Sequence, residues 1–277
     1  DLAAYYDDEI TAMPNLVTVG AANTLTTVAG IPFYQGGAGS IYTHDVSGTD
    51  NDALRNTAYG ITTMDAITTG DNNTALGYNT MTANTTASSN TAVGGEAMLT
   101  NTTGASNVAV GYAALYTNNG AENVAIGKDA MRLNTTAGQN VAIGFEAMEA
   151  NTTGVRNLAI GYQAYTASDT ENDNLAIGYQ AMTTNTAGGT QNIAIGNYAA
   201  DALTSGDNNT IMGHNAASNL SSGGNNTAVG MDALLATTTQ NNNTAFGYQA
   251  LRANTAADNT AFGKDALVLN TTGDKNV

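Results

Sequence analysis

The sequence predicts an all-β or mainly β fold, a parallel β-solenoid (β-roll) of about 13 coils of 17 residues. Three observations predict it. A short strand motif, Asn-x-Ala-apolar-Gly, recurs along most of the chain. Its spacing stays within 16 to 18 residues, so each repeat is one turn of a stack, with no room for inserted domains. The composition suits a thin interior only: 6% of residues are aromatic, Trp and Cys are absent, and Gly, Ala, Thr and Asn dominate the 277 residues.

The motif begins at Asn56, Asn73, Asn90, Asn107, Asn123, Asn140, Asn157, Asn174, Asn192, Asn209, Asn226, Asn243 and Asn259, and starts again at Asn276-Val277. Its second and fourth positions carry β-branched or other sizeable residues, the signature of a strand with both on one face. The fourth position is always large and apolar, and it is read as the core ladder, with Ile126, Ile143, Ile160, Ile177 and Ile195 at its centre. The Ala at position three then faces outward, as a flat stripe that lets another chain approach. The leading Asn residues, Asn107, Asn123, Asn140, Asn157 and Asn174 among them, are expected to form a ladder of amides bonded above and below.

After the strand, Gly makes the turn. Stretches such as Phe145 to Ala150 hold good helix formers and predict one short helical turn per coil, with a second short strand as the alternative. Asn84, Asn101, Asn134, Asn151, Asn254 and Asn270 fall where a left-handed cap belongs. The Thr-Thr-x-Gly that often follows is turn chemistry.

The second strand position is Thr in the first coils and the last. It is aliphatic in the middle six: Val108, Val124, Val141, Leu158, Leu175 and Ile193. That drier centre implies either an occluded core or contact with a partner chain.

Residues 1–55 lack the repeat and are read as an N-terminal cap or subunit-joining segment, and residues 56–277 as the solenoid domain with an open C-terminal end. Leu16 to Val19 and Thr24 to Ala29 look like strands, and Ile31 to Gly39 like a loop. The open coil reads either as the cut end of a longer rod or as an assembly interface that joins Leu16, Val17, Val19, Leu25 and Val28 of one molecule to Asn276 and Val277 of the next. The chain starts at Asp1 rather than Met, so either a signal or pro-segment is removed or the chain is a fragment; removal of a signal implies an extracellular, cell-surface or virion-surface setting.

The Asn-x-Ala-[Ile/Val]-Gly strand resembles the head-domain repeat of trimeric autotransporter adhesins, with a longer period here. Asn134 to Gly144 (NTTAGQNVAIG) resembles the repeats of phage tail-fibre proteins still more closely. The resemblance covers roughly residues 56–277. It implies a parallel β-roll and a structural or attachment role, with three chains side by side in the adhesins.

Other chemistries find little footing. A net charge of −16 with seven Lys and Arg offers no phosphate-neutralising footprint, so neither nucleic acid nor an anionic membrane is expected as a partner. No apolar run is long enough to insert in a bilayer. His44, beside Asp45, and His214 have no nucleophile constellation around them, so no enzyme, cofactor or metal is expected. The acidic stretches 45–52 and 169–173 read as solvated loops. Asn-Thr-Thr sequons at Asn84, Asn101, Asn134, Asn151 and Asn270 suit the turn better than they suit glycans. The column Tyr78, Tyr112, Tyr162, Tyr179 and Tyr248 fits a covered edge or a platform for surface glycans. An ice-binding Thr face is interrupted at Ser168, Leu203, Leu220 and Thr237. The expected partner is the chain itself, as homopolymer or homotrimer.

Overall fold

The computed structural model describes residues 52–184 and 188–277, together with four short strands before them. Strands β1 (Thr18–Val19), β2 (Leu25–Val28) and β3 (Ile31–Pro32) form a small antiparallel sheet in that order. β1 and β2 fall within the segments expected as strands near residues 16–19 and 24–29. Ile31-Pro32, expected in a loop, instead pairs with β2. Leu16 and Val17 lie outside the described residues, as do His44 and Asp45.

From β4 (Ile41–Tyr42) onward the chain is a β-solenoid. Fourteen strands, from β4 through β5 (Thr57–Tyr59) to β17 (Thr260–Phe262), stack in sequence order as one parallel sheet. The register is one to one, as in Val141↔Leu158, Ala142↔Ala159 and Ile143↔Ile160. The stack begins one rung before the first Asn-x-Ala-x-Gly motif, because Tyr42 pairs with Ala58 and is fully buried. The boundary expected at residue 55 therefore falls inside the parallel sheet.

The interior is inverted relative to expectation. In the coil that starts at Asn140, the buried side chains are Asn140, Ala142, Ala147, Met148 and Asn151. Val141 and Ile143 lie on the outer face. The same holds for the rest of the predicted ladder: Ile126 is 38% exposed, and Ile160, Ile177 and Ile195 are partly exposed. Strand parity explains the inversion. Side chains alternate with period two, and the leading Asn is fixed inside by its hydrogen bonds, so position three faces in and positions two and four face out. The interior is thin enough that Ala on the sheet meets Ala and Met from across the coil. The Ala stripe is the core, and no partner chain can approach it.

No helix occurs among the described residues. After the strand, each coil places two residues with positive φ around a small side chain, Thr63 and Thr80 in the first two coils and Ala in the rest, as Glu146 (φ 53°) and Met148 (φ 54°) flank the buried Ala147. Helical i→i−4 bonds are replaced by bonds between coils: the Glu146 N–H donates to the Lys128 carbonyl (3.0 Å) and the Met148 N–H to the Ala164 carbonyl (3.0 Å). Flat, in-register stacking on this side wins over helix propensity because alternate N–H groups find carbonyls in the coils above and below, while those of Ala147 and Asn151 turn back to Gly144 and Met148. The residue before each leading Asn is the third left-handed position, as at Ser106 (φ 60°) and Gln139 (φ 62°). The turn asparagines expected as left-handed caps, Asn84, Asn101, Asn134, Asn151, Asn254 and Asn270, do not have positive φ.

The strand-ending Gly is obligatory for a plain reason. Gly144 has φ +139°, and a Cβ on it would lie 2.2 Å from the Gly161 carbonyl oxygen of the next coil.

Candidate interaction faces

The leading asparagines stitch the coils together, but not amide to amide as expected. Asn140 donates from its backbone N–H to Asn123 Oδ1 (3.0 Å), and its own Oδ1 accepts from the Asn157 N–H (2.8 Å). Its Nδ2 donates to the Gly154 carbonyl within its own coil (2.8 Å). The pattern runs through Asn107, Asn123, Asn157 and Asn174. Each side chain thus satisfies a backbone donor of the next strand and a carbonyl of its own turn. Direct amide-to-amide bonds appear at Asn209–Asn192, Asn226–Asn209 and Asn276–Asn259.

The turn asparagines are also interior. The Asn101 Oδ1 accepts from the Gly104 N–H, and its Nδ2 donates to the Gly104 carbonyl, both at 2.9 Å. Asn84, Asn101, Asn134 and Asn151 are fully buried, so the folded coil closes these four sequons to a glycosylating enzyme. Their neighbouring Thr hydroxyls donate across coils, as Thr135 does to the Thr152 carbonyl (2.9 Å) and Thr85 to that of Thr102 (3.3 Å).

What reaches solvent is therefore the outer side of the sheet. Two aliphatic columns run along it, position two (Val108 to Ile193) and position four (Tyr59 to Phe262). Fourteen strands at ~4.8 Å and three residues at ~3.3 Å make a face of roughly 60 Å by 10 Å. Both columns are apolar together only over the six coils from Val108 to Ile195, a stretch of roughly 29 Å by 10 Å at ~4.8 Å per strand, flanked by strands with Thr at position two. The occluded-core reading of the drier middle coils is excluded, since position two faces out.

Across the glycine turn runs a third column. Phe145, Tyr162 and Tyr179 stack at centroid distances of 5.1 Å with planes within 9°. Tyr179 meets Tyr198 edge on at 5.4 Å, and Tyr198 meets His214 edge on at 6.1 Å. Lys128 lies 5.0 Å over the Phe145 ring. His214 is a member of this column and is not paired with an acid or nucleophile. Beside it, the Tyr112 hydroxyl donates to Glu96 Oε2 (3.0 Å), and that bond holds the phenol pKa above its ordinary value.

Charged groups are spread along the coils. Arg156 clasps Asp173 through Nε (2.6 Å) and an Nη2 bond (2.9 Å), which lowers the Asp173 pKa. Among the described residues no three His, Asp or Glu side chains gather as metal ligands do, and no helix is long and apolar enough to cross a membrane.

The predicted joining residues belong to a contact between two molecules, and within one chain they occupy separate elements. Val19 lies in β1, and Leu25 and Val28 in β2, on the small antiparallel sheet. Asn276 continues the Asn stitching from Asn259 (3.0 Å), while Val277 is fully exposed. Sequence reasoning also missed two turn acceptors, the buried Glu171 and the partly buried Gln240. Their signal was available: each sits three residues after a position where the turn Asn is replaced, by Ser168 and by Thr237.

Together these features define a parallel β-solenoid repeat protein with an apolar outer sheet face. No family model, curated protein or solved structure matches the chain.

Proposed function

We propose that the protein is a structural subunit of a fibre, in which copies of the chain lie side by side along the outer face of the long sheet. The observation that carries this reading is the pair of exposed aliphatic columns. Isolated apolar side chains on a surface need no explanation, but two unbroken columns over six successive coils do. That doubly apolar stretch of roughly 290 Å² is the centre of a sheet face of roughly 600 Å² in all, against the ~800 Å² that each partner buries in a stable interface. A second copy fits because it offers the same columns at the same ~4.8 Å repeat. A fibre at a cell or virion surface is the setting the sequence resemblance supports, with attachment as its role. A head-to-tail joint has no comparable support among the described residues.

Light scattering on the purified chain tests this reading. A fixed oligomer at micromolar concentration is expected, and Ile143→Lys with Ile177→Lys is expected to yield a folded 28.1 kDa monomer. A wild-type chain that stays monomeric overturns it.

A further inference from the structure

Several rungs of the aromatic column hold other side chains, as Lys128 and Met231 do, but one holds no side chain at all. Successive coils place Tyr78, Gly95 and Tyr112 at the position just past the strand glycine. Farther along, the same position holds Phe145, Tyr162 and Tyr179, whose rings cover one another's faces at 5.1 Å. There, the two-rung gap between Phe145 and Tyr179 is filled by one six-membered ring, that of Tyr162. Between Tyr78 and Tyr112 the gap has the same backbone span, roughly 9.6 Å, and the protein supplies no ring to fill it. Neither tyrosine stacks on another ring among the described residues, and both are well exposed, Tyr78 at 58%.

The gap also has a fixed wall and a polar rim. The Tyr112 hydroxyl is anchored to Glu96 Oε2 (3.0 Å), and its ring edge leans over Gly95, with Cδ2 3.6 Å from where a Cβ would stand. Glu96 places a carboxylate, an acceptor for hydroxyl donors, beside the opening.

We infer that the slot between Tyr78 and Tyr112, floored by Gly95 and rimmed by Glu96, binds one pyranose ring of a neutral glycan. A sugar ring offers C–H faces to the two phenol rings and hydroxyls to the carboxylate. The chain's charge of −16 and the carboxylate at the rim work against uronic acids, sialic acids and nucleotides. One slot per chain gives weak binding, and side-by-side copies multiply it by avidity. The slot lies across the glycine turn from the sheet face and does not depend on the fibre reading.

The test is a titration of the full chain with selectively labelled tyrosine rings, read by NMR. The probes are cellohexaose, maltohexaose and mannohexaose, with trigalacturonate and adenosine as controls. At least one neutral hexaose is expected to shift Tyr78 and Tyr112 saturably and to leave Tyr162 and Tyr179 in place. Gly95→Tyr supplies the missing ring at a position without positive φ, so it keeps the fold and weakens binding at least tenfold. The inference is overturned if no hexaose shifts the two rings or if all tyrosines shift alike. Binding unchanged by Gly95→Tyr, or equally tight binding of either control, also overturns it.

Discussion

Ser168 and Glu171 together replace, within one coil, the turn that Asn151 and Gly154 make in the coil before. Asn151 donates from Nδ2 to the Gly154 carbonyl (3.1 Å). Ser168 is too short to span that turn. The Glu171 carboxylate fills the space instead: Oε2 accepts from the N–H groups of Asp169 (2.8 Å) and Thr170 (3.1 Å), and Oε1 from that of Gly188 (3.1 Å). Thr237 and Gln240 repeat the exchange, with Gln240 Oε1 accepting from Thr238 (2.9 Å) and Thr239 (3.1 Å).

Glu171→Gly therefore leaves three backbone donors unpaired and is expected to cost about 1–3 kcal/mol. Glu171→Gln, which imitates Gln240, is expected to keep most of that. The double variant Ser168→Asn with Glu171→Gly rebuilds the ordinary turn and should recover stability beyond the sum of the single changes. Urea unfolding of the four proteins measures the coupling, and strict additivity would refute the exchange.

The inverted interior gives a sharper contrast. Ala142 is completely buried and Ile143, its neighbour, faces out. Ala142→Leu overpacks a filled layer and is expected to cost at least ~1–3 kcal/mol. Ile143→Thr, severe in a true core, is expected to stay within about 1 kcal/mol in the dilute chain. Thermal unfolding ranks the two, and the reverse order would restore the isoleucines to the core.

The sequence made the fold legible because period and strand motif are one-dimensional signals. A strict 17-residue spacing forces in-register stacking, and an Asn-x-Ala-x-Gly run is too short for anything but a three-residue strand. Which side faces in was not legible by size. Val141 and Ile143 outweigh Ala142 on any hydrophobicity scale, yet parity is set by Asn140, whose amide must reach both Asn157 and Gly154. Had the polar residue been placed first, the aliphatic columns would have been read as a surface from the start. The turn was misread for a related cause: Phe145 to Ala150 has good helix propensity, but its N–H groups bond between coils. The Tyr78–Gly95–Tyr112 slot is visible in the aligned repeats as a gap, but its wall depends on the Tyr112–Glu96 bond, which only geometry reveals.

Glycines divide into two kinds. Gly144→Ala meets the Gly161 carbonyl oxygen at 2.2 Å and holds φ at +139°. A loss of at least ~3 kcal/mol, or failure to fold, is expected. Gly95→Ala makes ordinary contacts only, the nearest at 3.6 Å, and should be neutral within about 0.5 kcal/mol. Melting temperatures of the pair decide the matter, and equal losses would mean that coil spacing is not what fixes Gly144.

Left-handed backbone recurs three times per coil, and almost none of those residues is β-branched, Thr62 being the exception. Ser106 (φ 60°) is exposed and tests the rule without disturbing packing. Ser106→Val is expected to cost about 1–2 kcal/mol, the steric cost of that conformation for a branched side chain. Ser106→Asn is expected to gain a few tenths of a kcal/mol. Denaturant midpoints that do not separate Val from Asn would contradict the assigned backbone.

Asp201 carries the clearest pH signature. Its Oδ1 is buried and has no hydrogen-bond partner among the described residues, and burial raises the pKa of its carboxyl above the ordinary value. Two backbone N–H groups, its own and that of Ala202, pull the other way and offset this only in part. The folded chain thus holds the Asp201 proton more tightly than the unfolded chain does. In the window between the unfolded aspartate pKa, about 3.9, and the raised folded value, stability falls as pH rises. Above that window the whole desolvation penalty is present, and below it the penalty is gone. Asp201→Asn removes the charge while keeping the shape, so it should be more stable than the wild type at neutral pH. That advantage should shrink as pH falls through the window. Unfolding free energies for both proteins between pH 3 and pH 7 give the difference curve directly. A flat difference would mean that Asp201 is solvated well enough to titrate as it does in the unfolded chain.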